Sequence, residues 1–253
     1  MSDIITERSG AILRVELNRP AQLNAMTSSM YRTLADILNE ANKDDTIRVV
    51  LWHGAGNAFS AGNDIVDFLK NPPTPDANPQ GQLMDAFVAF KKPIVAAVQG
   101  AAVGGGTTML THCDFVYAGE SAKFQLPFIN IAVVPEFGSS YSLPARIGYL
   151  RAAELFLLGE PFTAAHAAEI GLATRVVPDT DLLAIATKTA QKLAAKPNGS
   201  LLASRRLIKQ SSIDAIKAAI KLETEALMEQ VVSADAKEAF SAFLEKRPPK
   251  FAA

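Results

Sequence analysis

Two glycine-rich turns and one acid hold the residue types from which acyl chemistry can be built. The first turn is "AFSAGND" at 58–64 and the second is "GAAVGGGTTML" at 100–110; the acid is Glu136, inside "NIAVVPEFGSSYSLP" at 130–144. Small residues let a ligand come close to the backbone. The second turn leads into a helix predicted from about Gly105, where free N–H groups and the helix dipole favour a negative oxygen. One N–H from each turn would make an oxyanion hole, and a carboxylate within reach would supply a base. Each feature also has a plain structural reading. The glycines suit tight strand–helix turns, and an acid after Pro135 suits a first helical turn.

Other chemistries fail on spacing. In "HGAGNAFSAG" (53–62) Gly54 and Gly56 give G-x-G, but Phe59 stands where a dinucleotide fingerprint needs its third glycine. The run Gly104-Gly105-Gly106 continues into Thr107-Thr108, which is no phosphate-binding loop. His53, His112 and His166 lack metal-ligand spacing, so no metal is expected. His112 and Cys113 adjoin in a segment read as strand, where neighbours face opposite ways, so Cys113 is read as a buried structural residue.

The elements that must position the trio are those of an α/β chain. Apolar runs at 11–17, 49–52, 94–98 and 114–118 predict strands, and 49–52 does not alternate, as befits a strand covered on both faces. Met30, Leu34 and Leu38 recur at helical spacing. "NPPTPDANPQG" (71–81), with four prolines, reads as a loop. From Lys196 onward only helices are expected. Ile213, Ile216, Ile220 and Leu227 form one stripe; Ser233 is an N-cap; Ala236, Phe240, Phe243 and Leu244 share a face; and "RPP" at 247–249 ends the last helix. This divides the chain into a core at 1–197 and a helical region at 198–253.

Composition bounds the function. At 253 residues, about 70–75% of the unfolded surface should be buried without staples. A net charge of -1 gives no basic stripe for nucleic acid. No apolar run reaches the ~18 residues of a membrane span, and the start lacks a signal peptide's apolar core. Cys113 is the sole cysteine, which fits a reducing, cytoplasmic setting.

The chain resembles the enoyl-CoA hydratase/isomerase (crotonase) superfamily. The likeness lies in "LNRPAQLNAM" (17–26), "VVLWHGAGNAFSAGNDI" (49–65), "KPIVAAVQGAAVGGG" (92–106), "CDFVYAGESAKFQLPF" (113–128), "PEFGSSYSLPARIG" (135–148) and "AAELFLLGEPFTAAHAAEIGLATRVV" (152–177). It implies a spiral of ββα turns with a C-terminal helical part that builds trimers or dimers of trimers. It also implies a CoA-thioester substrate, with no cofactor beyond the substrate's own coenzyme A. Transferred by position, the oxyanion donors would be the N–H groups of Ala61 and Gly105. Ser60, Gly62, Asn63 and Asp64 would lie along the CoA site.

Two departures bear on the reaction. Hydratases of the family place one glutamate two residues after the GGG run and another after the proline of an F-x-x-P-E segment. Here those positions hold Thr108 and Phe128. The chain is most similar to peroxisomal-type Δ3,Δ2-enoyl-CoA isomerases, which carry "SSGNDL" and "PEG-x-SSY" where this chain has "SAGNDI" and "PEFGSSY". In that group the matching glutamate is the single catalytic base, and the resemblance gives the role to Glu136.

Overall fold

A computed structural model describes residues 2–72, 74 and 77–251. The strands are β1 (Ile4–Ser9), β2 (Ile12–Leu17), β3 (Val49–Gly54), β4 (Ile94–Val98), β5 (Ala101–Val103), β6 (Phe115–Gly119), β7 (Lys123–Gln125), β8 (Phe162–Thr163) and β9 (Arg175–Val177). One sheet runs β1-β2-β3-β4-β6-β9 and a smaller one β5-β7-β8. β1 and β2 form an antiparallel hairpin, and every later pairing in the large sheet is parallel. The β4–β5 and β6–β7 pairs each send one strand to each sheet. This alternation matches the spiral of ββα turns that the resemblance implies.

The helices are α1 (Ser28–Lys43), α2 (Ile65–Lys70), α3 (Pro79–Ala89), α4 (Gly105–Thr108), α5 (Ser139–Ile147), α6 (Tyr149–Leu158), α7 (Ala164–Glu169), α8 (Leu182–Ala194), α9 (Asn198–Gln230) and α10 (Ala234–Leu244). β3 explains the unbroken apolar run. Its Val50 and Trp52 face the main core, while Val49 and Leu51 join Leu182, Ala186 and Ala190 of α8 on the other face. Both faces are therefore dry. In α1, Met30, Leu34 and Leu38 are buried as the spacing predicts, and the Thr27 side chain accepts from Met30 N–H to cap the helix.

Three expectations need correction. The loop at 71–81 ends early, because α3 begins at Pro79 with the Asn78 side chain accepting from Gly81 N–H. A proline at the first helical position loses no intrahelical bond, so it starts the helix rather than barring it. Pro73, Pro75 and Asp76 of that segment lie outside the described residues. In α10 the Ser233 cap forms and Ala236 and Phe240 are buried, but Phe243 and Leu244 are 57% and 50% exposed. Residues 109–112 form a 3-10 turn, not a strand. His112 and Cys113 still do not pair. His112 Nε2 donates to Phe137 O at 2.8 Å, and burial pushes the Cys113 thiol up to about 12.

No helix among the described residues is long and apolar enough to cross a membrane. After Ala194 the chain is helical to Leu244, apart from short links. α9 is tied to the core by Arg205, which bonds Asp114 at 2.8 Å and Phe90 O at 2.7 Å.

Candidate active site

The two glycine-rich turns meet side by side. Ser60 and Ala102 form an isolated parallel bridge, and Val103 N–H donates to Ser60 O at 2.9 Å. A third strip, residues 23–26, runs along the first turn. Met26 N–H donates to Gly62 O at 2.7 Å, Asp64 N–H donates to Met26 O at 2.9 Å, and Ala61 N–H donates to Leu23 O at 2.9 Å.

That last bond bears on an expectation. Ala61 N–H, expected as an oxyanion donor, is engaged with Leu23 O in this structure. Two residues on, Asn63 faces Met26 at the position of a parallel bridge that leaves its own N–H unused. Among the described residues, neither Asn63 N–H nor Gly105 N–H has an acceptor. Both residues line one cleft. The N–H groups without an acceptor in this cleft are thus those of Gly105, in the second turn, and Asn63, in the first.

Glu136 opens into the same cleft. It lies between a 3-10 turn at Ile129–Ile131 and α5. It does not cap α5: Gly138 holds the N-cap position, and only the backbone carbonyl of Glu136 takes part, accepting from Ser139 N–H at 3.2 Å. Its side chain turns inward and is 4% exposed. Gln80 Nε2 donates to Oε2. Oε1 is buried without a partner among the described residues. A Cβ placed on Gly105 would lie 2.7 Å from Oε1, so this carboxylate sits directly against the residue whose N–H is free. Burial pushes the Glu136 carboxyl up to about 8, against the Gln80 hydrogen bond and aided by the charge of Glu223.

The other transferred residues divide. Ala61, Gly62, Asn63 and Gly105 line the cleft. Ser60 does not: it is fully buried, donating from Oγ to Asn24 O at 2.9 Å and accepting from Gly62 N–H at 3.1 Å. Asp64 caps α2 through Val66 and Asp67 N–H and accepts from Arg19 at 3.1 Å. It lines a smaller neighbouring cavity instead. Phe128 lines the cleft, its ring 3.9 Å from where a Cβ on Gly104 would lie, whereas Thr108 is buried in α4 with Oγ1 donating to Gly104 O at 3.3 Å.

Five contributors escape the sequence reading as site residues. Gln80 comes from the stretch read as loop. The Tyr31 hydroxyl donates to Asn63 Oδ1 at 2.5 Å, and burial holds it well above the ordinary phenol range, so it remains a donor. Leu227 and Phe240 close the cleft from the C-terminal helices. Glu223, an acid on the apolar stripe of α9, is buried. Only Glu223 leaves a readable trace, as a charge where the stripe calls for an apolar residue.

The enoyl-CoA hydratase/isomerase family model matches residues 7–253. The chain belongs to the enoyl-CoA hydratase/isomerase family. It is 34% identical to the 2,3-dehydroadipyl-CoA hydratase of Escherichia coli, over 99% of each chain. It is 32% identical to enoyl-CoA delta isomerase 2 of Rattus norvegicus, over 97% of this chain and 64% of that longer protein. A crystal structure of an enoyl-CoA hydratase/isomerase from Pseudoalteromonas atlantica superposes with a TM-score of 0.94 at 39% identity, covering 99% of this chain and 100% of that one. Family membership fixes neither hydration nor isomerisation, since both names occur among these relatives. The side chains in the cleft must distinguish them.

Proposed function

We propose that this enoyl-CoA hydratase/isomerase family member is a Δ3,Δ2-enoyl-CoA isomerase. The observation that carries the reading is a single carboxylate, Glu136, whose unpaired Oε1 lies against Gly105 in the cleft that Asn63 also lines, while Phe128 and Thr108 occupy the positions of the hydratase acids. In the proposed reaction the Glu136 carboxylate takes a proton from C2 of a 3-enoyl thioester. The electron pair moves into a dienolate whose charge gathers on the thioester oxygen. Asn63 and Gly105 N–H hold that oxygen, each such donor being worth about 100- to 1,000-fold in rate. The same carboxyl returns the proton to C4, so no atom is gained or lost. A carboxyl with a pKa near 8 is a stronger base than a solvated one and still partly ionised near neutrality. The mostly apolar wall, including Phe128, Leu227 and Phe240, suits an acyl chain.

Hydration needs a second group to activate water. Among the described residues Glu136 is the one carboxylate lining the cleft, which supports isomerisation over hydration. The decisive experiment offers purified protein 3-hexenoyl-CoA and crotonyl-CoA separately. Isomerisation of the first, abolished by Glu136→Gln with thioester binding intact, supports the proposal. Rapid hydration of the second without isomerisation of the first overturns it. Tight thioester binding with no turnover would indicate a binding module instead.

The proposal extends to assembly as a trimer or a dimer of trimers. Leu150 and Leu157 on α6 and Leu207 and Ile208 on α9 are all more than half exposed, which supports burial against further copies of the chain.

A further inference from the structure

The turn that carries Glu136 is not held by its own sequence. Phe137 and Gly138, the next two residues, have φ of +62° and +67°. Glycine adopts this left-handed region freely, but a bulky side chain rarely does, and surrounding contacts must impose it. On one side the Phe137 ring is fully buried against Phe87 and His112, whose Nε2 donates to Phe137 O. On the other side stands α9. A Cβ on Gly138 would lie 2.8 Å from Ile216 Cγ2, so the turn is pressed onto that helix.

Glu223 closes the arrangement from 85 residues away. Its Oε2 accepts from Gly138 N–H at 2.7 Å and its Oε1 accepts from Ser140 N–H at 2.8 Å. These are free donors at the start of α5, so the helix-start acid that Glu136 resembles in sequence is supplied by α9. Glu223 is 7% exposed, and the groups that stabilise its charge all lie at the start of α5: the Ser140 side chain and the N–H groups of Ser140 and Gly138. Along α9, Ile216, Ile220, Glu223 and Leu227 fall on one face, which passes from the back of the turn to the wall of the cleft.

We infer that Glu223 is a positioning residue for Glu136, bracing the Phe137–Gly138 turn so that Oε1 faces Gly105. The inference deepens the reading of Glu136 as the base and rests on it. Burial raises the Glu223 carboxyl as well, against the bonds from Ser140 and Gly138, and where Glu223 is ionised its charge opposes ionisation of Glu136. The groups facing Glu136 are Glu223 from α9, the Tyr31 hydroxyl from α1 and the Gln80 amide from α3. Among the described residues none of them carries a positive charge.

Glu223→Gln and Glu223→Asp separate charge from reach. Glutamine keeps the length but removes the charge and points an NH2 group at a backbone donor. Aspartate keeps the charge but falls short of both N–H groups. Two readouts are taken: the pH dependence of kcat and KM on 3-hexenoyl-CoA, and the infrared band of the protonated Glu136 carboxyl, assigned by its absence in Glu136→Gln. In Glu223→Gln the band should titrate at lower pH and kcat should fall by roughly 10- to 100-fold, with KM nearly unchanged. In Glu223→Asp kcat should fall while the band titrates close to the wild-type pH. An unmoved band and unchanged kcat in Glu223→Gln overturn the inference, as does a fall in unfolding midpoint with neither readout altered. If the glutamine variant does not fold, an unchanged kcat in the aspartate variant overturns it alone. The band titrates whether or not 3-hexenoyl-CoA is a substrate, so failure of the isomerase reading is seen separately.

Discussion

Gln80 Nε2 donates to Glu136 Oε2 and leaves Oε1 as the bare oxygen beside Gly105. The two oxygens of one carboxylate are thus given different work. A donor on the charged form lowers a carboxyl's pKa, and here it opposes the larger effect of burial. Gln80→Leu should therefore raise the Glu136 pKa further. The acidic limb of the kcat–pH profile would move to higher pH, and activity at pH 7 would fall by roughly 10-fold or more. A limb that stays in place would mean that the amide does not touch the base in solution.

Gly105 is tested by adding one methyl group. A Cβ there would lie 2.7 Å from Glu136 Oε1 and 3.2 Å from the Tyr31 hydroxyl. The carboxylate can turn aside, so the fold should survive while the base leaves its position. Gly105→Ala should lose at least about 100-fold in kcat, since a 1 Å misplacement can cost that much. The unfolding midpoint should change little. Loss of fold with no specific loss of turnover in the remaining soluble protein would show that Gly105 serves packing alone.

Local signals carried much of the fold. The β3 and β4 strands and α1 were legible because their burial is written as unbroken or helically spaced apolar residues. The site was less legible because its bonds join distant segments. Ala61 was selected by its place in "FSAGND", yet the residue with a free N–H is decided by the strip at 23–26, which occupies Ala61 and spares Asn63. Gln80 reaches Glu136 across 56 residues from a stretch whose prolines concealed a helix start. Glu136 was legible as a residue through family resemblance, while its capping role turned out to belong to Glu223.

Leu150 and Ile208 are 82% and 77% exposed, and on α6 and α9 they stand with Leu157 and Leu207, which are also more than half exposed. If copies associate through α6 and α9, Leu150→Lys together with Ile208→Lys should shift the protein to smaller species in sedimentation velocity, because an unpaired charge is costly to bury. Identical sedimentation of the wild type and the double variant would place the contact elsewhere.

The buried carboxyl also sets a pH dependence of stability. Glu136 has an ordinary value of 4.5 and a folded value of about 8, so between these pH values the folded chain holds a proton that the unfolded chain has released. Its contribution is fully present below about pH 4.5 and is lost as pH rises through about 8. The loss should be on the order of a few kcal/mol. His112 acts in the opposite sense: burial depresses it to about 3, so stability from the neutral ring grows as pH rises to its ordinary 6.5. The wild-type curve therefore mixes the two groups, and the comparison with Glu136→Gln isolates the first. Urea unfolding should find the variant close to wild type at pH 5 and clearly more stable at pH 9, where only the wild type buries a second carboxylate beside Glu223. Parallel curves for the two proteins across that range would mean that Glu136 ionises in the folded state as it does in water.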